Sequence, residues 1–311
     1  MHPLTFVSRR CLSFVAFSAL VSACAAGGTG SGGSDADGGN GGGGSSAGGA
    51  PAGGSGGDGG NTGSAGGFQV GGGGSGGGFV GKAEVFGHSK SALFRLDPET
   101  KAVGNVGPFS GASNIEDIAL DKDSNLYGTN AEGLYSIDKV TAECTLIAAG
   151  DYPNSLSFVP AGTLDPNQEA LVGFLDDQYV RINVGTGNIT PIGSPWNNDF
   201  VSSGDVVSVK NGPTYLTIKD APGQPTVTCK DCLVEINPAT GAIIQSFGPL
   251  GFEKVFGTAF WAGSVYGFTN QGELFEITIQ NGTPITTLIT TPDGLSFWGA
   301  GSTTSAPPVP Q

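Results

Sequence analysis

Five times along this chain the same short pattern returns: an apolar pair, one variable residue, an Ile or Leu, and then a polar turn former. The copies are Leu93-Phe94-Arg95-Leu96-Asp97, Leu134-Tyr135-Ser136-Ile137-Asp138, Tyr179-Val180-Arg181-Ile182-Asn183, Leu233-Val234-Glu235-Ile236-Asn237 and Leu274-Phe275-Glu276-Ile277-Thr278. Successive copies begin 41, 45, 54 and 41 residues apart. Turn chemistry follows most of them, as in Thr186-Gly187, Thr240-Gly241 and Asn281-Gly282, and each then gives another apolar strand such as 189–192 or 243–247. A second family interleaves with the first: Ile118-Ala119-Leu120, Leu156-Ser157-Phe158, Val207-Ser208-Val209, Thr258-Ala259-Phe260 and Leu295-Ser296-Phe297. A third, with Leu126-Tyr127-Gly128 and Val265-Tyr266-Gly267, sits between. Helical periodicity is absent, and turn residues punctuate the runs at all-β spacing.

A unit of four short strands recurring at 40–50 residues is the signature of an all-β propeller, here with five four-stranded blades. Six blades are the alternative, because the 54-residue interval before Leu233 carries an insertion. The order of strand types predicts how the ring closes. The repeating region starts on a second-position strand, 83–87, and ends on a lone first-position strand, 295–298, so the two ends complete one blade between them. The resemblance is to short-repeat propellers of secreted bacterial proteins, and it specifies fold rather than activity.

Upstream of the repeats the chain reads as an export signal and a tether. Arg9 and Arg10 precede the apolar run 11–20, which is too short to span a bilayer, and Val21-Ser22-Ala23-Cys24 follows. That segment resembles the lipobox of bacterial lipoprotein signal peptides. The resemblance implies cleavage of a 1–23 signal peptide and lipidation of Cys24, with Ala25 in the next place pointing to the outer membrane. The stretch 24–81 after it is about half glycine and too poor in apolar residues to offset its ordering entropy, so it is expected to be disordered. As a coil it would span roughly 40 Å. The propeller domain is assigned to 82–302 and a Pro-rich tail to 303–311. Formal net charge is −14 for the whole chain and becomes about −16 once Arg9 and Arg10 leave, which excludes a phosphate-neutralising nucleic-acid binder.

Candidate chemistry follows from the propeller expectation. Loops converge where each innermost strand begins, so the residues two places before those strands should ring the channel mouth: Glu116, Asn154, Asp205, Phe256 and Asp293. Glu116, Asn154, Asp205 and Asp293 could form an oxygen cage for Ca²⁺ or another hard divalent ion. They also resemble the central metal site of gluconolactonase-type propellers. That resemblance implies Glu116, Asn154 and Asp205 as ligands of a metal-dependent hydrolase, although that family has six blades. Glu116, Asp205 and Asp293 could alternatively serve a glycosidase as acid, base and modulator, but such clefts are lined with aromatic residues. Here Trp261 and Trp298 are read as equivalent innermost-strand positions packing between blades. Asp121-Lys122-Asp123-Ser124-Asn125 imitates a calcium loop but has Leu126 where glycine should turn the chain.

Among the cysteines, Cys229-Lys230-Asp231-Cys232 runs straight into a strand, so a disulfide pinning that hairpin is favoured over metal or redox roles, and Cys144 is left free. His88 is the one histidine beyond the leader, and no Gly-x-Ser-x-Gly elbow is present. The reading is a membrane-anchored extracytoplasmic lipoprotein displaying a propeller as a binding or scaffold module for a protein or small-molecule ligand. The lactonase-like hydrolase is the alternative.

Overall fold

The computed structural model describes residues 83–224 and 228–309, so the leader, Cys24 and the glycine-rich stretch fall outside it. The first blade contains β1 (Val85–His88), β2 (Ala92–Leu96) and β3 (Val103–Pro108). The second is β4 (Asp117–Leu120), β5 (Leu126–Asn130), β6 (Gly133–Ile137) and β7 (Cys144–Ala149). The third is β8 (Leu156–Val159), β9 (Ala170–Leu175), β10 (Gln178–Ile182) and β11 (Ile189–Gly193). The fourth is β12 (Phe200–Ser208), β13 (Thr214–Asp220), β14 (Cys232–Ile236) and β15 (Ile243–Pro249). The fifth is β16 (Val255–Trp261), β17 (Ser264–Thr269), β18 (Leu274–Gln280) and β19 (Thr283–Ile289). β20 (Gly299–Ser302) returns to the first blade and pairs with β1, giving the order β20-β1-β2-β3. The protein is a five-bladed β-propeller, and the long interval in the fourth blade is a hairpin insertion between β13 and β14 rather than a sixth blade.

The repeated apolar pair has a direct physical cause. Both faces of each blade are covered by neighbouring blades, so consecutive residues of a strand, which point to opposite faces, must both be apolar. Leu93 packs in the crevice with Ile118, Leu120 and Tyr135 of the second blade, whereas Phe94 and Leu96 pack with Tyr266, Phe268 and Leu274 of the fifth. Five such apolar clusters fill the five crevices of the ring. Each fully buried Leu or Phe contributes about 1.5–3 kcal/mol.

The polar residue ending each repeat also has a task. Oδ1 of Asp97 accepts hydrogen bonds from the backbone N–H groups of Glu99 and Thr100, and Asp138 does the same for Val140 and Thr141. Asn183 accepts from Gly185 and Thr186, and Asn237 from Ala239. These are Asx turns between the third and fourth strands. The fifth copy has Thr278 instead, and there the strands run on in unbroken register from Leu274↔Ile289 to Gln280↔Thr283.

The ring closes as expected in kind but with a different strand. Residues 295–298 are not the closing strand; Gly299–Ser302 is, in register with Val85–His88 from Val85↔Ser302 to His88↔Gly299. Phe297 lies instead in the crevice, with its ring centroid 5.2 Å from that of Phe268 and 6.0 Å from that of Phe94. Trp261 ends β16 while Trp298 lies in the loop before β20, so the two tryptophans are not equivalent. Beyond β20 the chain does not leave the ring. Thr303, Thr304 and Ala306, in the segment read as a Pro-rich tail, are all buried.

Candidate functional site: the loop-rich mouth of the ring

Because strands alternate in direction, the loops entering β4, β8, β12, β16 and β20 emerge at the same end as the hairpins joining second and third strands. The innermost strands have one edge paired within the blade and another facing the axis, and the axial N–H groups need acceptors. Two carboxylates supply them. Asp117, the first residue of β4, is fully buried; its Oδ1 accepts from Ile118 N at 2.7 Å and its Oδ2 from Leu156 N of the third blade. Asp205 of β12 is equally buried, and its Oδ2 accepts from Thr258 N (3.1 Å) and Ala300 N (2.8 Å) in the fifth and first blades.

The two buried carboxyl groups lie close enough for each to act on the other's charge. Burial first, then for Asp205 the charge of Asp117, holds both well above the usual carboxylate range. Oδ1 of Asp205 is buried without a hydrogen-bond partner among the described residues. His88, at the end of β1, is also fully buried. Its Nδ1–H donates to the Ser89 carbonyl at 2.9 Å, leaving Nε2 a buried acceptor without a partner. Desolvation by burial lowers its pKa to about 4. Gly299 lets these groups approach: a Cβ there would overlap Asp117 Oδ1 and lie 2.5 Å from His88 Nε2.

Next to this layer, Trp298 N donates to the His88 carbonyl at 2.7 Å. The Trp298 ring lies 5.6 Å from that of Phe256, and Lys90 Nζ sits 3.8 Å from the Trp298 ring centroid.

The residues singled out from the sequence are dispersed relative to this centre. Asp205 is buried, Glu116 is half-buried, and Asn154 and Asp293 are exposed. Among the described residues no group of three or more His, Cys, Asp or Glu side chains is placed to hold a metal ion. The inward carboxylate is Asp117, one residue after Glu116, because the strand starts one position earlier than its apolar run. Nothing in the repeats marked His88 or Gly299, which act as single positions of the closing blade. In the calcium-loop imitation, Asp121 Oδ1 accepts from Asp123 N and Asn125 N, and Glu132 lies at the far end of β5. Cys229 and Cys232 are disulfide-bonded with Cα atoms 5.6 Å apart, and Cys144 is free and buried at the start of β7. Cys24 lies outside the described residues.

The chain matches no protein-family model, and no curated protein matches it. Among solved structures, a chain of the "Crystal structure of Nidogen/Laminin Complex" is similar at 11% identity and TM-score 0.45, covering 71% of this chain and 98% of that one. A chain of the Kuenenia stuttgartiensis hydrazine synthase is similar at 14% identity and TM-score 0.36, over 67% of this chain and 62% of that one. A protein of unknown function from Bacteroides caccae is similar at 14% identity and TM-score 0.37, over 71% and 98%. The propeller assignment itself rests on the sheet topology above.

Proposed function

We propose that this chain is a cell-envelope lipoprotein, anchored through Cys24 and carried on the glycine-rich stretch 24–81, whose propeller is a binding module. Its contact surface is the loop-rich mouth, and its partners carry positive charge.

A set of unpartnered carboxylates at the mouth carries this reading. At the end opposite the mouth, several carboxylates have structural partners. Glu84 pairs with Arg95 and Lys139, and Asp165 with Arg181, while Asp97, Asp121 and Asp138 cap backbone turns. At the mouth, Glu253 pairs with Lys230, Glu273 accepts from Thr269 and Asp231 accepts from Lys254 N, but Glu116, Glu132, Asp151, Asp176, Asp177, Asp199 and Asp293 have no ion pair or side-chain hydrogen bond among the described residues. Loops on a rigid ring with uncompensated charge favour capture of a cationic partner and speed its approach. The buried carboxyl pair supports binding rather than catalysis, because three of its four oxygens are engaged by backbone N–H groups of four blades.

Two measurements test the reading. Labelled palmitate should enter the full chain and not its Cys24→Ala variant. A lysine-rich peptide should bind the full chain in fluorescence anisotropy, weakening with salt, whereas a glutamate-rich peptide of equal length should not. Conversion of Glu116, Glu132, Asp151, Asp176, Asp177 and Asp199 to their amides should abolish that binding; undiminished binding by this variant removes the mouth as the contact surface.

A further inference from the structure

The segment after β20 touches every blade of the ring. Thr303 bridges in parallel to Leu120 of the second blade, and its N–H donates to the Glu84 carbonyl before β1 at 3.2 Å. Thr304 Oγ1 donates to Glu169 at the entry to β9 in the third blade, and the Thr304 carbonyl accepts from Lys210 N of the fourth at 2.8 Å. Ser305 Oγ donates to the Lys122 carbonyl at 3.2 Å, and the Pro307 carbonyl accepts from Ala262 N, just past β16 of the fifth blade, at 2.8 Å. Glu169 ties the arrangement further, since its other oxygen accepts from Lys122 N at 2.7 Å. Thr303 is 0% and Thr304 1% exposed, and Ala306 packs with Val207, Val209 and Phe260.

All these partners lie at or beyond the C-terminal ends of the innermost strands, opposite the Asp117–Asp205 layer. We infer that residues 303–308 are a clasp: a strap, turned at 304–305 with Ala306 N donating to the Thr303 carbonyl at 3.0 Å, that seals one end of the axial channel and holds the five blades in register. The ring is therefore fastened twice, once by the β20–β1 pairing and once by this axial strap. The two fasteners are consecutive in sequence, so releasing the strap also frees the end of the closing strand. Ligands reach the axis from the mouth alone.

Hydrogen exchange and thermal melting of the full chain, a chain ending at Ser302, and Thr304→Val test the clasp. Truncation should lower the melting midpoint by about 10 °C, from the loss of several hydrogen bonds in a domain of this size. It should also raise exchange at least tenfold in β20 and β1. Thr304→Val removes one hydroxyl and leaves the fold intact, so it decides the matter even if the truncated chain does not fold. A clasp acting as a unit raises exchange at the N–H groups of Thr303, Lys210 and Ala262, which Thr304 Oγ1 does not touch. Exchange changes confined to the Lys122 N–H, which Glu169 accepts, mean independent contacts and overturn the inference, as does a truncated chain that melts with the full one.

Discussion

The buried histidine gives the ring a defined acid sensitivity. His88 is fully enclosed, its Nε2 has no donor, and burial lowers its pKa from 6.5 to about 4. The unfolded chain therefore binds a proton near pH 6.5 that the folded chain refuses until about pH 4. Stability from this group is present above pH 6.5 and is lost progressively as pH falls toward 4. The full loss amounts to about 3 kcal/mol, or about 6–12 °C in melting midpoint for a domain of this size. The Asp117–Asp205 pair works in the opposite sense. Its pKa values are raised, so the folded state holds a proton that the unfolded state releases, and the pair favours folding as pH drops toward the ordinary carboxylate range. Comparison of the natural chain with His88→Asn separates the two, since the carboxyl pair is common to both to first order. Urea unfolding at pH 7, 6, 5 and 4.5 should show the stability difference shifting against the natural chain as pH falls, with the steepest change below 6.5. A difference independent of pH would mean that Nε2 finds a donor in solution. A difference of opposite slope would mean that protonated His88 pairs with Asp117, and either result refutes the reasoning.

The remaining predictions concern the same layer and its surroundings. Gly299→Ala places a methyl group against Asp117 Oδ1 and His88 Nε2, and thermal unfolding should report a loss of about 2–3 kcal/mol. Asp205→Ala leaves the N–H groups of Thr258 and Ala300 without their acceptor and should cost about 3 kcal/mol in urea unfolding, whereas Asp205→Asn keeps an acceptor for both and should cost less than about 1 kcal/mol. Equal losses in the two variants would show that the Asp205 side chain is not the acceptor those N–H groups need. Burial pushes the Cys144 thiol up to about 11, so a maleimide reagent at pH 7 should label it only after denaturation.

The blade architecture is legible in the sequence because each blade buries both faces, and that requirement prints an apolar pair in every third strand. The Asp or Asn after each pair is legible too, as turn chemistry. The closing strand is not. Gly299-Ala300-Gly301-Ser302 carries no apolar run, because the positions nearest the axis have no room for one. A Cβ on Gly301 would stand 3.0 Å from Leu120 and 3.1 Å from the Ile118 carbonyl, and Gly299 is tighter still. The apolar 295–298 imitates a strand because Phe297 must fill a crevice, a demand of packing rather than of pairing. The same slip of register moved attention from Asp117 to Glu116, since neighbouring residues at a strand start face opposite ways. The tail 303–308 resembles a linker in composition, and its order comes from partners scattered from Glu84 to Ala262, which no local pattern records.

These misses share one origin in the geometry of a small ring. Five innermost strands meet at the axis with their inner edges facing one another, and the backbone approaches so closely that a Cβ on Gly257 would lie 2.8 Å from Ala300 N and the Gly299 carbon. So tight a bore leaves axial N–H groups that must be answered by side chains reaching from one blade to another. Asp117 answers in the third blade, Asp205 in the fifth and first, and Ser302 Oγ accepts from Phe260 N at 2.9 Å. Acidic residues at the axis of this ring are thus explained by the closure of the fold itself. Under the binding role proposed above, recognition falls to groups that closure does not use, among them the unpartnered carboxylates on the loops around the mouth.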